Sequence, residues 1–163
     1  VTGMMAKAFG SQVVGFELVM ERMELARKIG FDHVFDAGEV DPVQAVMDLT
    51  GGRGADGVVE ASGSPIAQVQ AVRLARKRGK VIYVGAGHEE PCIAPWWIMH
   101  REVTLMGSFV MPIHLYEDLV RFILRHNLDF AQIVTHRFPI ERAEEAFRLA
   151  DSRQCGKVLF VWE

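Results

Sequence analysis

Along the chain, short β-branched apolar runs alternate with segments in which apolar and charged positions recur at helical spacing. That alternation predicts βαβ units and a parallel sheet. A mostly apolar helix is expected over residues 2 to 9 and a strand over Gln12 to Glu17. A helix over Met20 to Ile29 should stop at Gly30, a residue suited to a left-handed cap. After a brief strand, His33 to Phe35, Asp41 and Pro42 supply an N-cap and a first-turn proline for a helix reaching about Leu49.

The glycines at 51, 52 and 54 break that helix, and Gly57 to Ala61 is apolar enough for a strand covered on both faces. Ser64-Pro65 opens a helix with Ile66, Val69, Val72 and Leu74 as its apolar positions. Arg73, Arg76, Lys77 and Arg78 are expected in its last turns, where the helix dipole favours cations, with Gly79 closing it. Further strands are predicted over Lys80 to Val84 and Val103 to Phe109, with a short helix near Pro95 to His100. A helix from Leu115 to Arg125, an extended stretch Ile133 to Phe138, a helix from Ile140 to Asp151 and a strand Lys157 to Trp162 complete the pattern.

Half of the 163 residues are hydrophobic, enough for one domain with a buried core. Eighteen basic and 21 acidic residues leave a net charge of −3, with no basic stripe for a nucleic-acid backbone. No apolar run reaches the roughly 18 residues of a membrane span, and no signal-peptide pattern opens the chain. Cys92 and Cys155 stand apart, outside any zinc-ligand spacing, and read as free thiols of a reducing cytosol. Neither a nucleic-acid nor a membrane partner is expected, and the expected location is cytoplasmic.

Two positions carry candidate chemistry. Val1-Thr2-Gly3 reads as the tail of a glycine-rich dinucleotide loop, and Glu17 ends the following strand fourteen residues beyond Gly3. With the first glycine of G-x-G-x-x-G five residues further upstream, the glycine-to-acid interval becomes about 19, against roughly 20 in the fingerprint. A carboxylate there accepts hydrogen bonds from both adenosine ribose hydroxyls and repels the extra phosphate of NADP, so NAD is the expected cofactor. The competing reading of Glu17 is an ordinary surface glutamate at a strand end, and of Gly3 any turn glycine. Arg22, five residues beyond Glu17, would reach the same ribose.

The strand ends Glu60-Ala61-Ser62-Gly63 and Val84-Gly85-Ala86-Gly87 fall on the carboxyl side of the sheet, where open α/β folds bind ligands. Their small residues would form a trough for adenine and nicotinamide, although each glycine taken singly reads as a tight turn. The six histidines (33, 88, 100, 114, 126 and 136) form no H-x-x-x-H pair and read as solvated or structural. Of Trp96 and Trp97, at least one is expected in the core.

The chain resembles the C-terminal, cofactor-binding part of the zinc-dependent medium-chain alcohol and polyol dehydrogenases over nearly its whole length. The resemblance is carried by MMAKAFGSQVVGFELVMERMELARKIGFDHVFD, by GADGVVEASGSPIAQVQAVRLARKRGKVIYVGAG, and by HREVTLMGSFV with the later IVTHRFPI. It implies a Rossmann-like, doubly wound parallel sheet in a single cofactor domain over residues 1 to 163. Residues from about 127 would match the segment returning toward a separate catalytic domain. It also implies that Glu17 and Arg22 contact the ribose, that Ser62 lines the trough, and that Val84, Ala86, Thr104 and Met106 offer backbone groups to the nicotinamide carboxamide. Lys157 would lie near the pyrophosphate, and Gly3 would let the first helix pack closely on the sheet.

In that family a zinc held by another domain polarises an alcohol whose hydride passes to the nicotinamide. No residue here matches a zinc ligand, so zinc is expected for a complete enzyme and not for this chain. The resemblance further implies a small alcohol or polyol substrate and self-association into dimers or tetramers. The sequence reads as lacking the first Rossmann strand, which belongs at the centre of the order 3-2-1-4-5-6. Its absence would expose backbone groups at about 1 to 3 kcal/mol each if left unsatisfied. Three readings follow: part of an NAD-dependent zinc dehydrogenase, inactive without its other domain; a non-catalytic nucleotide-binding or interaction module; or a zinc-free reductase of the same superfamily.

Overall fold

The computed structural model describes residues 1–87 and 89–162. Among the described residues seven α-helices and seven strands follow in the order α1 (Thr2–Ala8), β1 (Val14–Glu17), α2 (Met20–Lys28), β2 (His33–Asp36), α3 (Pro42–Leu49), β3 (Ala55–Glu60), α4 (Pro65–Leu74), β4 (Ala75–Tyr83), α5 (Pro95–Arg101), β5 (Thr104–Gly107), α6 (Tyr116–Arg125), β6 (Val134–Pro139), α7 (Ala143–Asp151) and β7 (Lys157–Val161). Every described strand pair is parallel. The chain divides into two compact units, Val1–Glu39 with Glu117–Glu163, and Val40–Tyr116.

In the first unit β1 pairs with β2, and β6 with β7. Phe31 packs where α1 meets β1: a Cβ on Gly3 would overlap its ring, and one on Gly15 would lie 2.9 Å from it. The two glycines thus clear space for one aromatic side chain. Lys7 on α1 donates to both carboxylate oxygens of Asp32, at 2.8 and 2.9 Å, while the Val13 amide donates to the same carboxylate at 2.6 Å. These donors, with the Lys7 hydrogen bond foremost, hold the Asp32 carboxyl below the usual carboxylate range. Met4, Met23, Phe138, Ala146 and Cys155 supply buried positions in this unit.

In the second unit the sheet order is β3-β4-β5, with Ala71, Ala75, Val81 and Val103 buried beneath Val58 and Tyr83. The Asp41 carboxylate accepts from the Val43 and Gln44 amides at the start of α3, and Pro42 occupies the first turn. The predicted cap is therefore present. Within the first unit the order β2-β1 is that of Rossmann strands 3-2, and within the second β3-β4-β5 is that of strands 4-5-6. Among the described residues β1 bonds only to β2, and β3 only to β4, so each keeps one strand edge open.

Three expectations are corrected. The helix opened by Pro65 ends at Leu74, and Arg76, Lys77 and Arg78 lie on the first part of β4. Ala75 is already extended and pairs with Ala55, a register shift follows before Gly57 meets Lys80, and Arg78 is left-handed at φ 58°. The Asp56 carboxylate of β3 accepts from Arg53 at 2.7 Å and from Arg76 of this segment at 2.5 Å. Both guanidinium groups hold that carboxyl well below its ordinary range. Nor is β3 covered on both faces, since Asp56, Gly57 and Val59 are exposed on this edge strand. Finally, neither tryptophan is in the core: Trp96 is 62% and Trp97 37% exposed, the latter lying under the Arg73 guanidinium, because α5 buries no residue.

Candidate functional site

Glu17 ends β1, and its carboxylate curls back on the chain. Oε1 accepts from the Leu18 and Val19 amides at 2.8 and 3.3 Å. Oε2 faces the Arg22 guanidinium, with Nη1 at 3.8 Å, and the Glu17 side chain stays about a third exposed (31%). One oxygen is thus anchored and the other keeps acceptor capacity. Arg22 stands in the first turn of α2, so helical geometry returns it over the end of β1.

Its Nε donates to the Cys155 carbonyl at 3.2 Å. The 155–157 turn is thereby tied to the carboxylate at β1. Gly156 makes that approach possible, since a Cβ there would lie 2.7 to 2.8 Å from the Ile133 carbonyl, Leu25 and Thr135. Arg22 and Lys157 line one cleft of about 320 Å³, whose apolar walls include Leu25, Ala26, Ile29 and Ile133. Arg22, beside Glu17, thus shares a cleft with Lys157 from a distant segment of the chain. Gly3 lies in α1, buried, and a Cβ there would overlap the Phe31 ring.

In the second unit Ser62 follows β3 and Val84 follows β4, both on the carboxyl side of the parallel sheet. Their turns pack backbone on backbone. A Cβ on Gly63 would overlap the Ala86 carbonyl, one on Gly85 the Gly63 amide, and one on Gly87 the Gly63 carbonyl. Gly63 also takes φ 73°, a left-handed conformation that glycine adopts freely. Ser62, Val84 and Ala86 are exposed on this surface.

Thr104 and Met106 do not join them. Parallel register sets Thr104 beside Lys80 and Met106 beside Ile82. Thr104 therefore sits four residues, roughly 13 Å, below the level of Val84. The residues level with the end of β4 are Gly107, paired with Tyr83, and Ser108, whose amide donates to the Tyr83 carbonyl at 2.9 Å. Sequence reading located the strand but not its stagger, which only the ladder reveals.

Sequence reading also passed over Glu60. It is 5% exposed, and its carboxylate accepts from the Ser62 amide and hydroxyl and from the Gly63 amide. A glutamate closing an apolar strand and followed by Ser-Gly was the available signal. Among the described histidines, 100, 114, 126 and 136 are exposed and His33 half-buried, while His88 lies outside the described residues. No three His, Cys, Asp or Glu side chains converge into a metal-holding group among the described residues. These residues provide no donor set for a zinc ion.

A family model described as zinc-binding dehydrogenase matches residues 1–125. The chain belongs to that family. It is 30% identical to the L-threonine 3-dehydrogenase of Bacillus licheniformis over 163 residues, covering 96% of this chain and 46% of the relative. Among solved structures, a putative alcohol dehydrogenase from Sinorhizobium meliloti matches with TM-score 0.88 and 26% identity, over 97% of this chain and 46% of that one. An NAD-dependent alcohol dehydrogenase matches with TM-score 0.84 and 26% identity, over 98% and 46%. The chain thus spans about half the length of the relatives it matches. The zinc-binding dehydrogenases supply its fold class, a Rossmann-like parallel α/β arrangement. No helix among the described residues is long and apolar enough to cross a membrane.

Proposed function

We infer that this chain is the NAD-binding portion of a zinc-type alcohol or polyol dehydrogenase, and that residues 1 to 163 act as one cofactor domain. The observation that carries the reading is the Glu17 carboxylate at the end of β1, with one oxygen anchored by backbone amides and the other beside Arg22. A preset carboxylate of this kind suits the paired hydroxyls of a ribose. The relationship to an NAD-dependent alcohol dehydrogenase of known structure supports the same cofactor.

When bound, NAD supplies the hydride acceptor for oxidation of a secondary alcohol. This chain's residues bind and orient. Glu17 accepts from the adenosine ribose, and Arg22, held by Cys155, keeps that carboxylate in place. Lys157 adds positive charge on the cleft it shares with Arg22, where a pyrophosphate would be neutralised. In the second unit the glycine-packed turns let a flat ring approach the backbone. Val84 offers its carbonyl, because its amide is already committed to the Glu60 carbonyl at 2.8 Å.

A phosphate on the ribose 2′-hydroxyl would meet the Glu17 carboxylate, and Arg22 is engaged on both sides. NAD is therefore preferred over NADP. The alcohol-binding wall and the proton-accepting group lie outside these residues, so the chain by itself binds cofactor without oxidising alcohol.

The test is direct. Purified chain titrated into NADH should enhance and blue-shift the nicotinamide fluorescence, while NAD, zinc and an alcohol panel give no NADH production. Absence of NADH binding would contradict the cofactor reading. Turnover by this chain would contradict the division of labour.

A further inference from the structure

Glu60 is the most buried carboxylate among the described residues of the second unit. Its two ends serve two different turns. On the side chain, Oε1 accepts from the Ser62 amide at 2.7 Å, the Ser62 hydroxyl at 2.5 Å and the Gly63 amide at 3.0 Å, while Oε2 lies 3.2 Å from the same Gly63 amide. On the main chain, the Glu60 carbonyl accepts from the Val84 and Gly85 amides at 2.8 and 3.0 Å. One residue therefore holds the turn after β3 through its carboxylate and the turn after β4 through its carbonyl.

The connection extends into α4. The Ser62 hydroxyl, having donated to Glu60, accepts from the Ser64 amide at 3.1 Å. Ser64, the N-cap of α4, makes no side-chain cap of its own. Beneath the carboxylate, Tyr83 donates its phenol to the Gln68 carbonyl at 2.6 Å, which locks β4 to α4 under the same turn.

We propose that Glu60 is a positioning residue for the nicotinamide end of the cofactor, fixing the Ser62-Gly63 and Val84–Gly87 turns as one preset surface. The proposal rests on the NAD reading. A carboxylate suits this place because it accepts at both oxygens and donates at neither. Buried, it is tolerable because three donors converge on Oε1 and the Gly63 amide is shared with Oε2. Glutamine has the same shape, but its neutral oxygen is a weaker acceptor for the three Oε1 donors, and its NH₂ group would face the Gly63 amide at the Oε2 position. Glu60→Gln therefore loosens the Ser62-Gly63 turn without removing volume. Loss of the pinned turn lets Gly63 leave its φ of 73° and its backbone contact with Ala86.

The experiment compares wild-type chain and Glu60→Gln with two ligands, NADH and ADP-ribose, the second lacking the nicotinamide. The expected result is a rise of about tenfold in the NADH dissociation constant, the size of one lost charge-assisted hydrogen bond. ADP-ribose affinity should stay within about twofold, since the adenosine side is held by Glu17. Equal weakening of both ligands, or of neither, would overturn the positioning role while leaving the cofactor reading intact. Failure of wild-type chain to bind NADH would overturn both.

A second measurement needs no variant. Amide hydrogen exchange on ligand-free wild-type chain should show Ser62 and Gly63 protected before NADH is added. Exchange at unprotected rates there, with protection appearing only on binding, would show that the surface is not preset and would overturn the proposal.

Discussion

The ring of Phe31 occupies the space that a side chain on Gly3 would need. A glycine on a helix face allows close packing against what that face meets. In this chain the packing has a named object, an aromatic ring held also against Gly15 of β1. Gly3→Ala should accordingly destabilise the chain by about 1 to 3 kcal/mol, the range for overpacking a filled site. Urea unfolding of the variant measures this. Phe31→Leu in the Gly3→Ala background should recover part of the loss, because the ring is what the new methyl meets.

Asp32 gives the chain an acid-sensitive contact. Its carboxyl titrates below its unfolded value, held there chiefly by Lys7 and by the Val13 amide. A depressed carboxyl contributes stability above the unfolded pKa of about 4 and loses it as pH falls through the folded value. Asp56 and Glu102, each held low first by an arginine hydrogen bond, add in the same direction. The difference in Tm between wild type and Asp32→Asn should be greatest near neutral pH and should shrink below about pH 4. Thermal melts across pH 2 to 7 would check the sign.

At the start of α3 the Asp41 carboxylate accepts from the Val43 amide at 2.9 Å. Asp41→Ala should cost about 1 kcal/mol of stability, and Asp41→Ser much less, since serine keeps a capping oxygen. Chemical denaturation of the two variants side by side provides the comparison. NADH binding should be unchanged in both.

Where structure was local, the sequence displayed it. The apolar periodicity, the Asp41-Pro42 start and the Gly30 cap at φ 90° all depend on neighbours within a few residues. Glu17 was legible for the same reason, as an acid at the end of a short apolar strand. The end of α4 was not, because charged residues 76 to 78 fit a helix terminus by propensity. On β4 their partners are distant in sequence, Asp56 for Arg76 and Glu102 for Lys77 and Arg78. Likewise, the stagger of Thr104 against Lys80 and the tie from Arg22 to Cys155 come from tertiary pairing across long stretches of chain. Local pattern carries no information on either. Glu60 escaped because a buried glutamate is told from an exposed one only by its donors.

Glu17 is the residue on which the cofactor assignment turns, and NADH and NADPH titrations of wild-type chain and Glu17→Ala measure its role most directly. The expected result is NADH binding at least about tenfold tighter than NADPH in wild type, with the gap closing in Glu17→Ala through weaker NADH binding. Equal or tighter NADPH binding by wild type, or an NADH affinity indifferent to loss of the carboxylate, would contradict the account.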